Sequence, residues 1–434
     1  MNGSQTENRK MLSELSCEEL KSFYSCELKR LEDYRAKGLK LDMSRGKPGP
    51  EQLDLSNEML THCLDGDHIS ENGVDCRNYG VLDGIYEAKR LFMPMIGVGR
   101  YEIIIGGNSS LQLMYDTIAR AMLLGVKGSP KPWSMCKRVK WLCPAPGYDR
   151  HFAICEAFGI EMITVPMRSD GPDMDMVERL VSEDEDIKGI WCVPMYANPT
   201  GAVYSDEVVR RFAALKPKAP DFRIFWDNAY CVHHLTEERV TILNILEECK
   251  KTGSQDMPLI FASTSKISFP GGGISAIGAS EENIEFMKQQ MSFQIIGYDK
   301  LNQLRHARFF KDFDGILRQM DKHRAILKPK FDLVISALEG ELRPLGIGDW
   351  SNPKGGYFVS YNGPRGTAKR IVSLCADAGV KLTSAGAAFP YGIDPEDSNI
   401  RIAPTFPSLE ELDAAMKVFC TAARVAACEA LLNK

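Results

Sequence analysis

Four groups of polar residues in this sequence could do chemistry together. Lys266 follows the apolar run Leu259-Ile260-Phe261-Ala262 and the hydroxyls of Ser263-Thr264-Ser265, and it precedes Phe269-Pro270-Gly271-Gly272-Gly273. An amine held just past a buried strand is partly desolvated, which favours its neutral form and makes it a nucleophile toward carbonyls. Phe225-Trp226-Asp227-Asn228-Ala229-Tyr230 places an acid and a phenol three apart after another apolar run. Val193-Pro194-Met195-Tyr196-Ala197-Asn198-Pro199-Thr200-Gly201 places an Asn-Pro-Thr-Gly turn after a third. Earlier, Gly106-Gly107-Asn108-Ser109-Ser110 opens an amphipathic stretch. Glycines there let backbone amides approach an anion and the helix start adds a favourable dipole, an arrangement suited to a phosphate. Singly, each group has a plainer reading: a surface lysine, a solvated acid, a packed aromatic, a turn former, an N-cap. Their recurrence at successive strand ends points to one site.

The elements that would position them alternate. Short β-rich runs lie at Tyr101 to Ile105, Val139 to Cys143, Glu161 to Met167, Gly189 to Val193, Phe222 to Trp226 and Leu259 to Ala262, with helical patterns between them such as Ser109 to Leu124 and Asp175 to Val181. This alternation predicts an α/β fold with a mostly parallel central sheet covered on both faces, whose ligands sit beyond the carboxyl ends of the strands. After about residue 315 the pattern changes to a long helix, the hairpin-like Gly355-Gly356-Tyr357-Phe358, short strands near Val380 and at Asn399 to Ala403, and a last helix. Capping-box spacing opens both the first helix, at Ser16 to Glu19, and the last, at Ser408 to Glu411. We expect three regions: 1–60, an N-terminal helix and substrate loop packing with the small domain; 61–315, a large domain; and 316–434, a small α+β domain.

The order Asn-Pro-Thr-Gly, Asp-x-x-Tyr, Ser-x-Ser-Lys and a late Asn399-Ile400-Arg401 resembles the fold-type I class I aminotransferases, which depend on pyridoxal 5′-phosphate, over the span from about Leu41 to the carboxyl end. It is most similar to the aspartate aminotransferases called subgroup Ic, which are like the aminotransferase portion of MocR-type regulators. The resemblance implies that Lys266 holds the cofactor as a Schiff base and moves the proton during exchange. It implies that Asp227 lies against the pyridine nitrogen, that Asn198 and Tyr230 bond the ring 3′-oxygen, and that Tyr148 in Pro146-Gly147-Tyr148 stacks on the ring. Gly107, Asn108, Ser109 and Ser263 would take the phosphate, joined by Tyr79 of Asn78-Tyr79-Gly80 from a partner subunit, so that a homodimer completes each site.

One position departs from the family pattern. The arginine usually found eight residues after the lysine is Ile274 here. Arg305 and Asn302, in Asp299 to His306, are the candidates to replace it. Arg401 matches the residue that grips the substrate α-carboxylate, a task suited to a planar guanidinium. Gly46 and Asn198 would border the substrate. For a distal carboxylate, Arg45, Lys47 and Arg305 are the candidate cations. The reaction implied is ping-pong transamination between amino acids and 2-oxo acids, with aspartate and 2-oxoglutarate favoured. An aminoadipate-type transferase or a carbon–sulfur lyase could use the same cofactor. A non-enzymatic regulator body is the remaining reading, disfavoured because only about forty residues precede the first family-like motif.

Bulk properties narrow the partners. The 434 residues are 44% hydrophobic and 26% charged, with a net charge of −5, which excludes disorder as the main state and offers no basic surplus for nucleic acid. Thirteen cysteines without C-x-x-C spacing read as reduced thiols of a cytoplasmic protein. No apolar leader or run of membrane-spanning length is present. His233-His234 lacks partners at ligand spacing, so no metal is expected.

Overall fold

A computed structural model of the chain describes residues 10–64 and 66–433. The strands are β1 (Leu41–Asp42), β2 (Ile103–Gly106), β3 (Lys140–Ala145), β4 (Glu161–Arg168), β5 (Gly171–Pro172), β6 (Ile187–Cys192), β7 (Arg223–Asp227), β8 (Pro258–Ser263), β9 (Ser275–Gly278), β10 (Asp349–Trp350), β11 (Val359–Asn362), β12 (Val380–Lys381) and β13 (Asn399–Ile402). Eight of them form one sheet in the order β2-β9-β8-β7-β6-β3-β4-β5. Neighbours from β8 through β4 run parallel, while β9 runs against both β2 and β8, and β5 folds back on β4.

Each strand anticipated from the sequence appears within one or two residues of its place. The strands not anticipated are the short β1, β5 and β10, with β11 and β9; the last, Ser-Ala-Ile-Gly, has little β propensity and is held by pairing on both sides. It matters to the site: Ser275 pairs with Gly106 on one side and Ser263 on the other, so the two hydroxyl-rich strand ends lie one strand apart.

Alternation along the strands feeds two cores. Ile103 and Ile105, Ile190 and Cys192, Ile224 and Trp226, and Ile260 and Ala262 face one side, against the helices Tyr86–Ile96, Asp206–Ala213, Ile245–Thr252 and Lys300–Phe310. Ile104, Trp191, Phe225 and Phe261 face the other, against Ser110–Leu124, Asp149–Ala157 and Glu281–Met291. Trp141 sits in this second core, edge-on to Trp133 and Phe225, and it needs the absence of a side chain at Gly189: a Cβ there would meet the indole at 2.4 Å.

A third core gathers the rest of the chain. β10, β11 and β13 form an antiparallel sheet, and β1 pairs with β12 in parallel, tying the early segment to the late one. Leu20 and Leu31 of the opening helix Cys17–Ala36 share a core with Leu338 of the helix Phe313–Glu341 and with Val418, Phe419 and Val425 of Leu409–Leu432. Both capping boxes anticipated from the sequence are formed, at Ser16 with Glu19 and at Ser408 with Glu411. Buried between these helices, Glu27 accepts from Arg424 Nε at 2.8 Å. The helix Phe313–Glu341 runs through residue 315, the place expected to divide the lobes. Among the described residues no helix is long and apolar enough to cross a membrane.

The Trp141 contact sets the first prediction. Gly189→Ala should cost about 1–3 kcal/mol of unfolding free energy, because the packed indoles can give way only by shifting a strand. Urea denaturation of the two proteins measures it, and an unchanged midpoint would contradict the packing described.

Candidate active site

β2, β6, β7 and β8 end at the same edge of the sheet, and a cavity of about 340 Å³ lies beyond them. Asp227 is the last residue of β7 and Lys266 lies three beyond the end of β8, on the adjacent strand. Asn198 comes from the turn after β6, and Tyr230 from the turn after β7. All four line the cavity, with Tyr148, Asn108, Ser109 and Ser263.

Lys266 Nζ stands over the Tyr230 ring at 4.8 Å from its centroid and 6.0 Å from that of Tyr357. Burial pushes the lysine below its ordinary range and the Asp227 charge pulls the other way, with burial the larger effect. The Tyr230 phenol is pushed well up by burial, with the nearby Tyr148 and Asp227 adding to the effect, so it stays protonated and can donate.

Asp227 is 2% exposed, and its two oxygens are used unequally. Oδ2 bonds His151 Nε2 at 3.1 Å, while Oδ1 is buried without a partner. His151 is itself held by stacking on Trp191, 4.4 Å between centroids and 12° between planes, and Trp191 Nε1 donates to Cys155 Sγ at 3.3 Å. His151 was not among the residues expected at the site. One histidine inside a helix has no local signature, although its place three residues after Tyr148 was a usable clue.

Arg401, on β13, stands behind the cavity wall and bonds Asn198, which lines it. It donates from Nη1 to Asp149 Oδ1 at 3.0 Å and to Asn198 Oδ1 at 3.3 Å, and from Nη2 to Thr383 Oγ1 at 3.3 Å, while its Nε is buried without a partner. Its guanidinium lies 5.0 Å from the Phe358 ring centroid. Gly46 borders the same wall, since a Cβ there would meet the Phe358 ring at 2.3 Å. One helical turn therefore serves three tasks: Tyr148 lines the cavity, Asp149 holds Arg401 and His151 holds Asp227.

The hydroxyl-rich end is internally braced. Ser265 Oγ donates to the Asn108 carbonyl at 3.0 Å, Ser263 Oγ to Ser265 Oγ at 3.1 Å, and Asn108 Nδ2 to the Pro270 carbonyl at 3.4 Å. Ser109 caps the helix Ser110–Leu124, and Ser110 and Leu111 of its first turn line the cavity. Gly107 is placed behind this rim, its carbonyl accepting from Ser275 Oγ at 2.8 Å.

Arg45, Arg305 and Tyr79 stand apart from the cavity. Arg45 is exposed and lines none of it, whereas Lys47, two residues on, does, with Nζ 3.8 Å from the Phe406 ring centroid. Arg305, whose charge is felt at both Cys63 and His306, does not line the cavity. Asn302 and His306, on the same helix, turn inward. Asn302 Nδ2 donates to the carbonyls of Gly272 at 3.0 Å and Gly273 at 2.9 Å. His306 Nε2 meets Ser268 Oγ at 2.9 Å and Thr264 Oγ1 at 3.1 Å, bracing the turn that carries Lys266. Tyr79 is 82% exposed. His233 and His234 join no cluster of three ligating side chains among the described residues.

A doubly covered, mostly parallel sheet with a lysine and a carboxylate at adjacent strand ends, and a buried arginine bonded to the cavity wall, is the arrangement of a fold-type I aminotransferase. The family model for aspartate amino-transferases matches residues 15–434. An aspartate aminotransferase of Corynebacterium glutamicum is 42% identical over 422 residues, covering 97% of this chain and 98% of that protein. A putative aminotransferase of Mycolicibacterium smegmatis is 52% identical over 403 residues, 92% and 94% of the two chains. The crystal structure of an aspartate transaminase from C. glutamicum superposes with a TM-score of 0.95 at 42% identity, covering 97% of this chain and 99% of that one. An α-aminoadipate aminotransferase from Thermus thermophilus, complexed with N-(5′-phosphopyridoxyl)-L-leucine, shares the fold at 19% identity, with a TM-score of 0.73 over 93% of this chain and 95% of that one. This chain belongs to the aspartate aminotransferase family.

The brace at His306 carries a pH prediction. Burial pushes this histidine down to about 4, against about 6.5 for a free imidazole. The native state therefore keeps it neutral where the unfolded chain takes up a proton. Its contribution is fully present above about pH 6.5 and is lost as pH falls toward 4, roughly 3 kcal/mol in all. Urea midpoints measured from pH 8 to pH 4 should fall across that window, and His306→Gln should flatten the fall. An equally steep fall in the variant would remove His306 as its source.

Proposed function

We propose that this chain is an aspartate aminotransferase that uses pyridoxal 5′-phosphate and works as a homodimer. The observation that carries the reading is the unpartnered Asp227 Oδ1, buried at the cavity wall on the strand next to the one that leads to Lys266. A buried acceptor left without a bond is costly, and a protonated ring nitrogen at that point would satisfy it. The lining also suits the rest of the cofactor: hydroxyls and a helix start at one end would take the phosphate, and Asn198 and Tyr230 would bond the ring oxygen.

When bound, the cofactor supplies an aldehyde carbon for exchange of amines and a ring that accepts electrons. The protein's groups do the rest. Lys266 Nζ, biased by burial toward its neutral form, would hold the aldehyde carbon, yield it to the substrate amine, and then carry the proton from the substrate Cα. Asp227 Oδ1 would keep the ring nitrogen protonated, with His151 fixing the carboxylate by its other oxygen. Arg401, aligned by Asp149 and Asn198, would take the α-carboxylate through its free edge at Nε. For the distal carboxylate Lys47 replaces Arg45 as the candidate, since it is the cation of that loop that lines the cavity.

The twofold partner is supported by an exposed apolar rim. Tyr79 and Ile296, the latter 60% exposed, flank the close approach of Gly80 to Gly297, where the Gly80 carbonyl accepts from Lys300 Nζ at 3.0 Å, and Phe293, 85% exposed, lies three residues before Ile296 in the chain. The thirteen unpaired cysteines support a reducing, cytoplasmic setting.

Two measurements test this reading. Lys266→Ala should keep its fold and lose turnover by several orders of magnitude, about 10⁴-fold or more. Mixing the aldehyde form with a panel of amino acids and following the visible absorbance should show aspartate and glutamate reacting faster than aromatic or aliphatic monocarboxylates. The reverse order would remove aspartate as the substrate.

A further inference from the structure

A buried hydrogen-bonded path joins the loop bordering the cavity to the turn that carries Lys266. Gly46, Lys47 and Pro48 line the cavity, and the amide of the next residue, Gly49, donates to Gln52 Oε1 at 3.1 Å. Gln52 Nε2 donates to His323 Nδ1 at 3.0 Å and to Tyr357 Oη at 3.1 Å. His323 Nε2 reaches the Ile267 carbonyl at 3.1 Å, and the Tyr357 hydroxyl reaches the Lys266 carbonyl at 3.5 Å, where His233 Nε2 also arrives at 3.3 Å.

The path has no slack in its polarity. An amide side chain offers two N–H donors and an acceptor, and here the oxygen and both hydrogens of Gln52 are engaged. Because His323 Nδ1 accepts, its proton is on Nε2, which is the atom that faces the Ile267 carbonyl. Gln52 and Tyr357 are fully buried and His323 is 1% exposed, so water does not compete for these bonds. The segments joined come from four places in the chain: the short helix Pro50–Asp54, the long helix Phe313–Glu341, the stretch before β11 and the lysine turn itself. A glutamine serving only to fill the lobe junction would have no reason to end on two consecutive carbonyls at the reactive lysine.

We propose that Gln52 is a positioning residue that couples the Gly46–Gly49 loop to the backbone of Lys266 and Ile267, so that seating a substrate against the loop sets where the lysine amine stands. The catalytic meaning of this coupling rests on the aminotransferase reading above; the coupling itself does not.

Gln52→Met keeps the length of the side chain and removes every bond, and Tyr357→Phe removes one arm only. In protein without added cofactor, amide exchange should quicken in both variants at Ile267 and Ser268, whose amides bond the Thr264 carbonyl at 2.9 and 2.8 Å. With pyridoxal phosphate added, both should shift the pH midpoint of the Lys266 adduct's visible absorbance. Gln52→Met should lower kcat for the amino acid by roughly 10- to 100-fold, in line with a small misplacement of a reacting group. The double variant should be no worse than Gln52→Met alone, since both lie on one path. Unchanged exchange at residues 267 and 268, or effects that add in full, would overturn the proposal. If Gln52→Met does not fold, the exchange of Tyr357→Phe decides it. A wild-type protein that forms no adduct at Lys266 would sink the aminotransferase reading, while the exchange comparison would still decide the coupling.

Discussion

Parallel pairing of β6, β7 and β8 makes three consecutive strands end at one edge, and the geometry of the site follows from that constraint. In register, Cys192 pairs with Trp226 and Asp227 with Phe261, so the turns after these strands open side by side. A carboxylate at the end of one strand and an amine just beyond the next are thereby held near each other without a salt bridge, and the space between them is left for a third group. The alternating cores behind the sheet give it the rigidity to keep that separation: Phe225 and Phe261 stack at 5.2 Å on one face while Trp226 packs against Phe212 and Tyr204 on the other. A site on strand ends supported in this way is more exactly placed than one on loops alone.

Groups that depend on local sequence were legible before the structure. Asn198, Asp227 and Lys266 each sit within a few residues of an apolar run, so the period of the run and the turn residues after it locate them. Groups that depend on tertiary placement were not. Asp149 and Thr383 orient Arg401 from positions 252 and 18 residues away, and no spacing in the chain announces it. His151 and His306 are lone histidines on helices, where an imidazole is as plausibly a core filler as a brace.

The misplacements have geometric causes. Arg305 was a sensible cation for an anion, yet it lines none of the cavity, while Asn302 and His306, one helical turn apart, bond inward to the segment around Lys266. In the loop at 45–48 the Lys47 amide donates to the Arg45 carbonyl at 3.0 Å, a tight turn that breaks the period-2 alternation, so the sequence could not say which of the two cations would line the cavity. The strand β9 was invisible because its stability comes from two neighbours rather than from its own residues.

The cysteines, described above only as unpaired, divide sharply by environment. Burial pushes the thiols of Cys231, Cys420 and Cys428 up to about 12 and that of Cys249 to about 11, so they carry almost no thiolate at neutral pH. Cys17 and Cys26 are exposed, nine residues apart on the opening helix and hence on opposite flanks of it. Alkylating dyes and spin probes would therefore decorate that helix first, on the smaller lobe and away from the cavity. The native chain thus comes with its own attachment points for probes on that helix, with no cysteine engineered in.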